Sequence, residues 1–171
     1  DEEKLQELAA SIKEFGVVQP VVVRKKGRSY ELVAGERRLR AAGLAGLTKV
    51  PAIVKDYDDA KMMEIALIEN IQRHDLNPIE EAQGLRRLMQ EFKLTQEQTA
   101  EKVGRSRSAV TNILRLLNLP EQVQKQIING VLTMGQAKQL LGLPRREEMC
   151  EEGEAMIANG WSSGMTEEVV R

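Results

Sequence analysis

Two short polar clusters carry the residue types needed to handle phosphate and a divalent metal ion. Ala34-Gly35-Glu36-Arg37-Arg38 stands where a β-branched run turns into an Ala-rich helical one. A glycine there lets the backbone come close to a ligand, the free amides of a helix start carry the positive end of its dipole, and two arginines can fork onto phosphate oxygens. Taken alone, so short a motif reads rather as a solvated helix start with surface arginines. The second cluster, Glu69-Asn70-Ile71-Gln72-Arg73, ends an otherwise apolar helical stretch. Glu69 beside Asn70 is a hard-oxygen pair able to hold magnesium that also rides on phosphates; the alternative is a helix end at which Arg73 answers its own carbonyls. His74, the only histidine, follows at once and without partners is read as a surface residue rather than a catalyst or ligand. No GxxxxGK[ST] run occurs, which excludes a P-loop.

A third stretch, LTQEQTAEKVGRSRSAVTNILRL at residues 94–116, has its small, apolar and turn residues where a helix-turn-helix needs them. Ala100 is the small residue at a helix crossing, Val103, Val110 and Ile113 supply the packing positions, and Gly104 makes the turn. Such a unit presents its second helix to the major groove, and here that helix is expected over about residues 106–117. Its outward positions are Arg105, Ser106, Arg107, Ser108, Thr111 and Asn112, with Arg107 near the helix start able to fork onto guanine. No acid lies between Gly104 and Leu117. A bare helical hairpin would be an ordinary amphipathic pair; the whole pattern favours DNA binding.

These clusters need a scaffold, and composition limits what it is. A chain of 171 residues, 42% hydrophobic, can bury real cores, and two small domains are expected. Charged residues make up 30% but the net charge is only -1, so DNA binding must rest on a local basic surface offset by acidic helices elsewhere. Aromatics are only 3%, which argues against base-stacking platforms for single strands or RNA. One cysteine, Cys150, excludes an internal disulfide and a Cys-rich zinc site. With neither a signal peptide nor an apolar run of membrane length, the expectation is a cytoplasmic chain with no membrane partner.

The chain changes character near residue 57. A helix over residues 1–15 places Leu5, Leu8, Ile12 and Phe15 on one face and closes at Gly16. Strand-like runs follow at 17–24, 30–33 and 50–55, the first two separated by a turn at 25–29 and the last two by a short helix over 36–45. From Asp58 onward the pattern is helical, with Met62, Ile65, Ala66 and Ile68 as the first apolar face. Asn77-Pro78-Ile79-Glu80 is a helix start with Asn77 as cap and Glu80 able to answer it, and that helix should reach Phe92. Pro120 opens a further helix to Ile128, residues 133–141 form the next, and Leu143-Pro144 precedes a last charge-rich helical segment.

The motifs occur together in one family. GVVQPVVVR at 16–24, VAGERRLRAAGLAGL at 33–47, ENIQRHDLNPIEEA at 69–82, the helix-turn-helix and LTMGQAKQLLGL at 132–143 closely resemble, in order and spacing, the ParB family of bacterial chromosome and plasmid partition proteins. The resemblance implies an α+β fold, with a small mixed ParB/sulfiredoxin-like nucleotide-binding domain over 1–76, an all-α helix-turn-helix domain over 77–143, and a C-terminal helical segment over 144–171. It implies a centromere-binding, nucleoid-associated protein that binds CTP with Mg2+, closes into a sliding clamp on DNA and slowly hydrolyses the nucleotide. The phosphate-binding motif then falls on Gly35, Glu36, Arg37 and Arg38, with Arg24 among the nucleotide-binding residues. The metal and triphosphate motif falls on Glu69, Asn70, Gln72 and Arg73, with Glu69 and Asn70 as magnesium ligands. Gln19, in the GxxQP segment, and Glu36 resemble the pair that supports hydrolysis. Arg107 and Gly135 match residues that favour the partition site over the related nucleoid-occlusion site. Implied partners are inverted-repeat duplex DNA, a ParA-type ATPase, an SMC complex and a second copy of the chain joined in a nucleotide-dependent way.

Three departures stand out. The family usually has an acid where His74 stands, its GHAR-like segment reads Gly135-Gln136-Ala137-Lys138 here, and residues 161–168 follow its SVRxTE pattern only in part. The N-terminal segment that engages the partner ATPase and the C-terminal dimerisation domain are not seen in the sequence. A plain helix-turn-helix regulator would not need GERR and ENIQR. A sulfiredoxin-type enzyme would need a cysteine at the phosphate turn, where this chain has Glu36.

Overall fold

The computed structural model describes residues 1–160, in two compact units, Asp1–Met63 and a second that begins at Glu64. The expected final segment beyond residue 160, including 161–168, lies outside the described residues.

The first unit opens with α1 (Glu2–Phe15), whose first turn is capped by the Asp1 carboxylate on the Lys4 amide and which Gly16 closes at φ 76°. One stripe of α1, Leu5, Ala9 and Ile12, is buried against Ala41 and Ala42 of α2 (Glu36–Leu44). Two alanines leave room for close approach, and burying Leu5 and Ile12 contributes about 1.5–3 kcal/mol each. Phe15, expected on that face, is exposed as the last residue of α1.

The sheet has the order β2-β1-β3. β1 (Val21–Lys26) and β2 (Ser29–Ala34) form an antiparallel hairpin whose two-residue turn starts with Gly27 at φ 61°, the residue a type II′ connection places there. β3 (Ala52–Lys55) lies parallel to β1 on its other side. The first and third strands begin later than the residue pattern predicts. Val17 to Gln19 and Val50 stay outside the ladder, because each strand starts directly after a proline, which has no amide to pair. The Val21 amide instead meets the Pro51 carbonyl at 3.1 Å.

α3 (Asp59–Ile71) crosses the division. Its apolar face is one step away from the expected one: Ala66 is exposed, while Ile71, Leu67 and Ile68 join a core of Ala82, Leu85, Leu88, Ala100, Val103, Val110 and Ile113. α4 (Pro78–Phe92) starts as expected, the Glu80 amide donating to Asn77 Oδ1 at 2.8 Å and the Asn77 side chain donating to the Glu80 carboxylate. α4 also gives Ile79 to a second core, made with Leu116, Leu119, Val123, Ile127, Leu132, Ala137, Leu140, Met149 and Met156.

The chain continues through α5 (Gln96–Val103), α6 (Arg107–Arg115), α7 (Glu121–Ile128), α8 (Met134–Leu140) and α9 (Arg146–Asn159). α6 ends two residues before the expected Leu117, tightening into a 3-10 turn over Leu116–Asn118 as helix ends commonly do. Among the described residues the fold is α+β, a three-stranded sheet with two helices followed by a helical array. No described helix is long and apolar enough to cross a membrane.

Candidate functional site

The start of α2 is uncapped. Gly35 sits at φ 100° and no side chain caps the helix, so its first amides are left for an outside acceptor. Glycine is required there twice over, by the left-handed backbone and by proximity, since a Cβ would lie 2.8 Å from Val21 Cγ1 and 3.2 Å from Val21 Cα. Glu36 and Arg37 are exposed. Arg38 Nη1 donates to the Pro20 carbonyl at 2.8 Å and to that of Gln19 at 3.3 Å, so the GxxQP segment and the helix start are joined. An open cavity of about 350 Å³, lined in part by Gly16, Val18, Gln19 and Arg38, lies beside them.

Arg24 occupies a different setting from Arg37. It is buried, with Nε and Nη2 on Glu31 Oε2 at 2.8 Å each and Nη1 on Asp59 Oδ1 at 2.9 Å and on the Tyr57 carbonyl at 3.2 Å. Its hydrogen bond holds the Glu31 carboxyl below the usual carboxylate range, and Glu31 and Asp59 in turn raise Arg24. All of its guanidinium nitrogens are thus engaged within the protein.

The second polar cluster lies in the other unit, at the end of α3. Glu69 and Asn70 are exposed neighbours. Among the described residues no group of three or more His, Cys, Asp or Glu side chains could hold a metal ion. A carboxylate and an amide alone suit magnesium, which keeps several waters and leans on phosphate, and not a metal caged by protein. Gln72 Nε2 donates to the Val103 carbonyl at 3.2 Å, Arg73 pairs with Asp75 at 2.9 Å, and His74 is exposed. A cavity of about 330 Å³ lined by Gln72, Arg73, His74, Glu81 and Arg105 brings this cluster beside the turn of the helix-turn-helix.

That turn is Gly104, at φ 73°. Thr95 opens α5 through a reciprocal cap with Gln98, and Ser106 opens α6 by accepting the Ala109 amide at 3.1 Å. Arg107 and Ser108 are exposed. Of the six positions read as outward, Thr111 is half-buried and its hydroxyl donates to Gln96 Oε1 at 2.6 Å, so it pins α6 to α5. Asn112 is also half-buried. Arg105 is exposed but pairs with Glu81 at 2.7 Å, and the Ser106 oxygen is used by its cap. Gly135 lies half-buried in the first turn of α8, where Gln136 accepts the Thr133 amide at 2.9 Å. Gln136 therefore completes a capping box. A two-residue match to a capping pattern was the available signal for that role.

Comparison with known proteins follows the same division of motifs. The ParB N-terminal domain matches residues 1–71 and the ParB HTH domain residues 74–171. The chain is 56% identical over 163 residues to a probable chromosome-partitioning protein ParB of Neisseria meningitidis, covering 95% of this chain and 57% of that protein. It is 57% identical over 149 residues to the chromosome-partitioning protein ParB of Myxococcus xanthus, covering 87% of this chain and 50% of that one. The chain thus spans about half the length of these curated relatives. Among solved structures, the C-terminally truncated ParB of Caulobacter crescentus complexed to the centromeric parS site matches with a TM-score of 0.80 and 41% identity over 100% of this chain and 88% of that chain. Matched in both parts along its whole length, the chain belongs to the ParB family.

Proposed function

We propose that this chain is the nucleotide- and DNA-binding core of a chromosome partition protein. It reads an inverted-repeat partition site through α6, binds CTP with Mg2+, closes as a homodimer around DNA and slowly hydrolyses the nucleotide. The observation that carries the reading is the presence, in one ParB-family chain, of an uncapped, arginine-bearing helix start at Gly35 and a helix-turn-helix whose second helix exposes Arg107 and Ser108. A plain regulator needs only the second of these. The Caulobacter relative bound to parS supports the DNA half of the reading.

In this reading residues 1–76 hold the nucleotide and 77–143 the DNA. The α2 amides with Arg37 and Arg38 take phosphate oxygens, Gln72 and Arg73 take the triphosphate, and Arg24 supports the nucleotide pocket from β1. Glu69 and Asn70 would hold Mg2+ as the protein's two oxygen donors, and the ion would supply charge neutralisation to the bound phosphates. Glu36 gains nothing by approaching an anionic triphosphate directly; with Gln19 it orients the attacking water, positioning being what such transfers need most. Arg105, Ser106, Arg107, Ser108, Thr111, Asn112 and Gly135 form the DNA-binding surface, in which Thr111 acts through its bond to Gln96 and Arg105 is held back by its pair with Glu81. A ParA-type ATPase and an SMC complex are the partners, and the nucleoid is the place of action.

The test is calorimetric titration with CTP, UTP, ATP and GTP, each with magnesium, with and without parS duplex. Binding of CTP alone, altered by parS, supports the reading. Equal binding of all four, or of none, overturns it.

A further inference from the structure

The turn of the helix-turn-helix is fastened from outside at three places around Gly104. Lys102 Nζ meets Glu64 Oε1 at 2.8 Å, the Val103 carbonyl accepts Gln72 Nε2 at 3.2 Å, and Arg105 Nη2 meets Glu81 Oε1 at 2.7 Å. Glu64 lies on α3, Gln72 directly follows it, and Glu81 is in the first turn of α4. Val103 ends α5, so its carbonyl has no partner further along the helix, and the Gln72 amide supplies one. The Glu81 side chain is only 15% exposed, which makes its pair with Arg105 less screened than a surface ion pair. The start of α6, which carries Arg107 and Ser108, follows this turn directly.

We infer that Gln72 and Glu81 are positioning residues for DNA reading. They hold residues 103–105 so that Arg107 and Ser108 enter the groove in one geometry, and Glu81 keeps the charge of Arg105 off the DNA backbone. The inference rests on the proposed DNA reading. It gives Gln72, placed by resemblance in the triphosphate motif, a role that needs no nucleotide.

The experiment measures fluorescence anisotropy on parS and scrambled duplexes, without nucleotide, across a range of salt. It compares the unsubstituted chain with Gln72→Ala, Glu81→Ala and the double variant Glu81→Ala/Arg105→Ala. Loss of Gln72 should lower the ratio of specific to scrambled affinity about three- to tenfold and speed hydrogen exchange of the amides at 104–106. Loss of Glu81 should lower that ratio too, and should steepen the dependence of log affinity on log salt by about 0.9, the increment for one added phosphate contact. The double variant should return the slope to its starting value. A merely structural role for Glu81 would not move that slope. Where Glu81→Ala also lowers the melting temperature, Glu81→Gln keeps the shape, removes the charge and must give the same steepening. An unchanged affinity ratio in either single variant overturns the role of that residue, and an unchanged slope in both Glu81 variants overturns the shielding of Arg105. A parent chain with no preference for parS overturns the DNA reading and this inference with it, and is recognised before any substitution is made.

Discussion

Arg38 reaches from the first turn of α2 to the Pro20 carbonyl, 2.8 Å away, tying the proposed phosphate turn to the segment that carries Gln19. Arg37, one residue earlier, is exposed. The two arginines should therefore answer differently to truncation. Arg37→Ala should lower CTP affinity by about tenfold or more, from roughly 1.5–3 kcal/mol of lost charge-assisted contact, and leave the melting temperature in place. Arg38→Ala should lower affinity and also cost about 1 kcal/mol of stability. Calorimetry and chemical denaturation on both variants check this, and identical behaviour would refute the distinction.

Gly35 tolerates no side chain. At φ 100°, with a Cβ destined for 2.8 Å from Val21 Cγ1, Gly35→Ala should destabilise the first unit by about 1–3 kcal/mol. Urea unfolding measures the loss. A parent-like midpoint would mean that β1 yields readily at Val21.

The Arg24–Glu31 pair makes stability depend on acid. Glu31 is held below its ordinary value near 4.5 by the Arg24 hydrogen bond, so its contribution is fully present above that value and disappears as the pH falls through the depressed one. Melting temperatures taken from pH 7 down to pH 3 should decline at the acid end. Glu31→Gln should weaken that decline while melting lower at pH 7; an unaltered acid profile would assign the effect to other carboxylates.

Arg107 separates base reading from backbone contact. If it reads a base, Arg107→Ala should weaken parS binding by about 1–3 kcal/mol and scrambled duplex much less. Competition binding at fixed salt gives the answer, and a uniform loss would make Arg107 a phosphate contact.

Turnover and binding should divide between residues. Gln19→Ala and Glu36→Ala should cut phosphate release from CTP by about ten- to a thousandfold through lost positioning, with nucleotide still bound. Glu69→Ala and Asn70→Ala should impair binding, closure and release together. Phosphate release and site-specific crosslinking on the same proteins distinguish the groups, and normal hydrolysis in Glu36→Ala would make that side chain a structural part of the turn.

Local chemistry was legible in the residue pattern, and long-range placement was not. Asn77 and Gly104 announce their cap and turn because such signals act within a few residues. The strand starts were misplaced where β-branched residues precede Pro20 and Pro51, since side-chain preference says nothing about a missing amide. α3 is apolar on several sides at once, with Met62, Met63, Ile65, Leu67 and Ile68 in one stretch, so periodicity alone could not choose its buried stripe. Exposure of Arg107 and Ser108 followed from the helix period. The engagement of Arg105 by Glu81, and of Val103 by Gln72 from 31 residues away, depends on how α3 and α4 pack and leaves no mark in local spacing. Nor does any spacing name cytosine, which came from family resemblance alone.

The sharing of α4 between two cores, Ile79 in one and Ala82, Leu85 and Leu88 in the other, ties the unfolding of the helical unit together. Loss of either cluster removes packing from the same fifteen-residue helix and so weakens the other. Residues 64–160 should thus lose structure in a single cooperative transition, with the slowest amide exchange along the middle of α4. DNA held by α6 at one core would then delay the opening of α7 to α9 at the other, making ligand-induced protection extend well beyond the residues that touch the duplex.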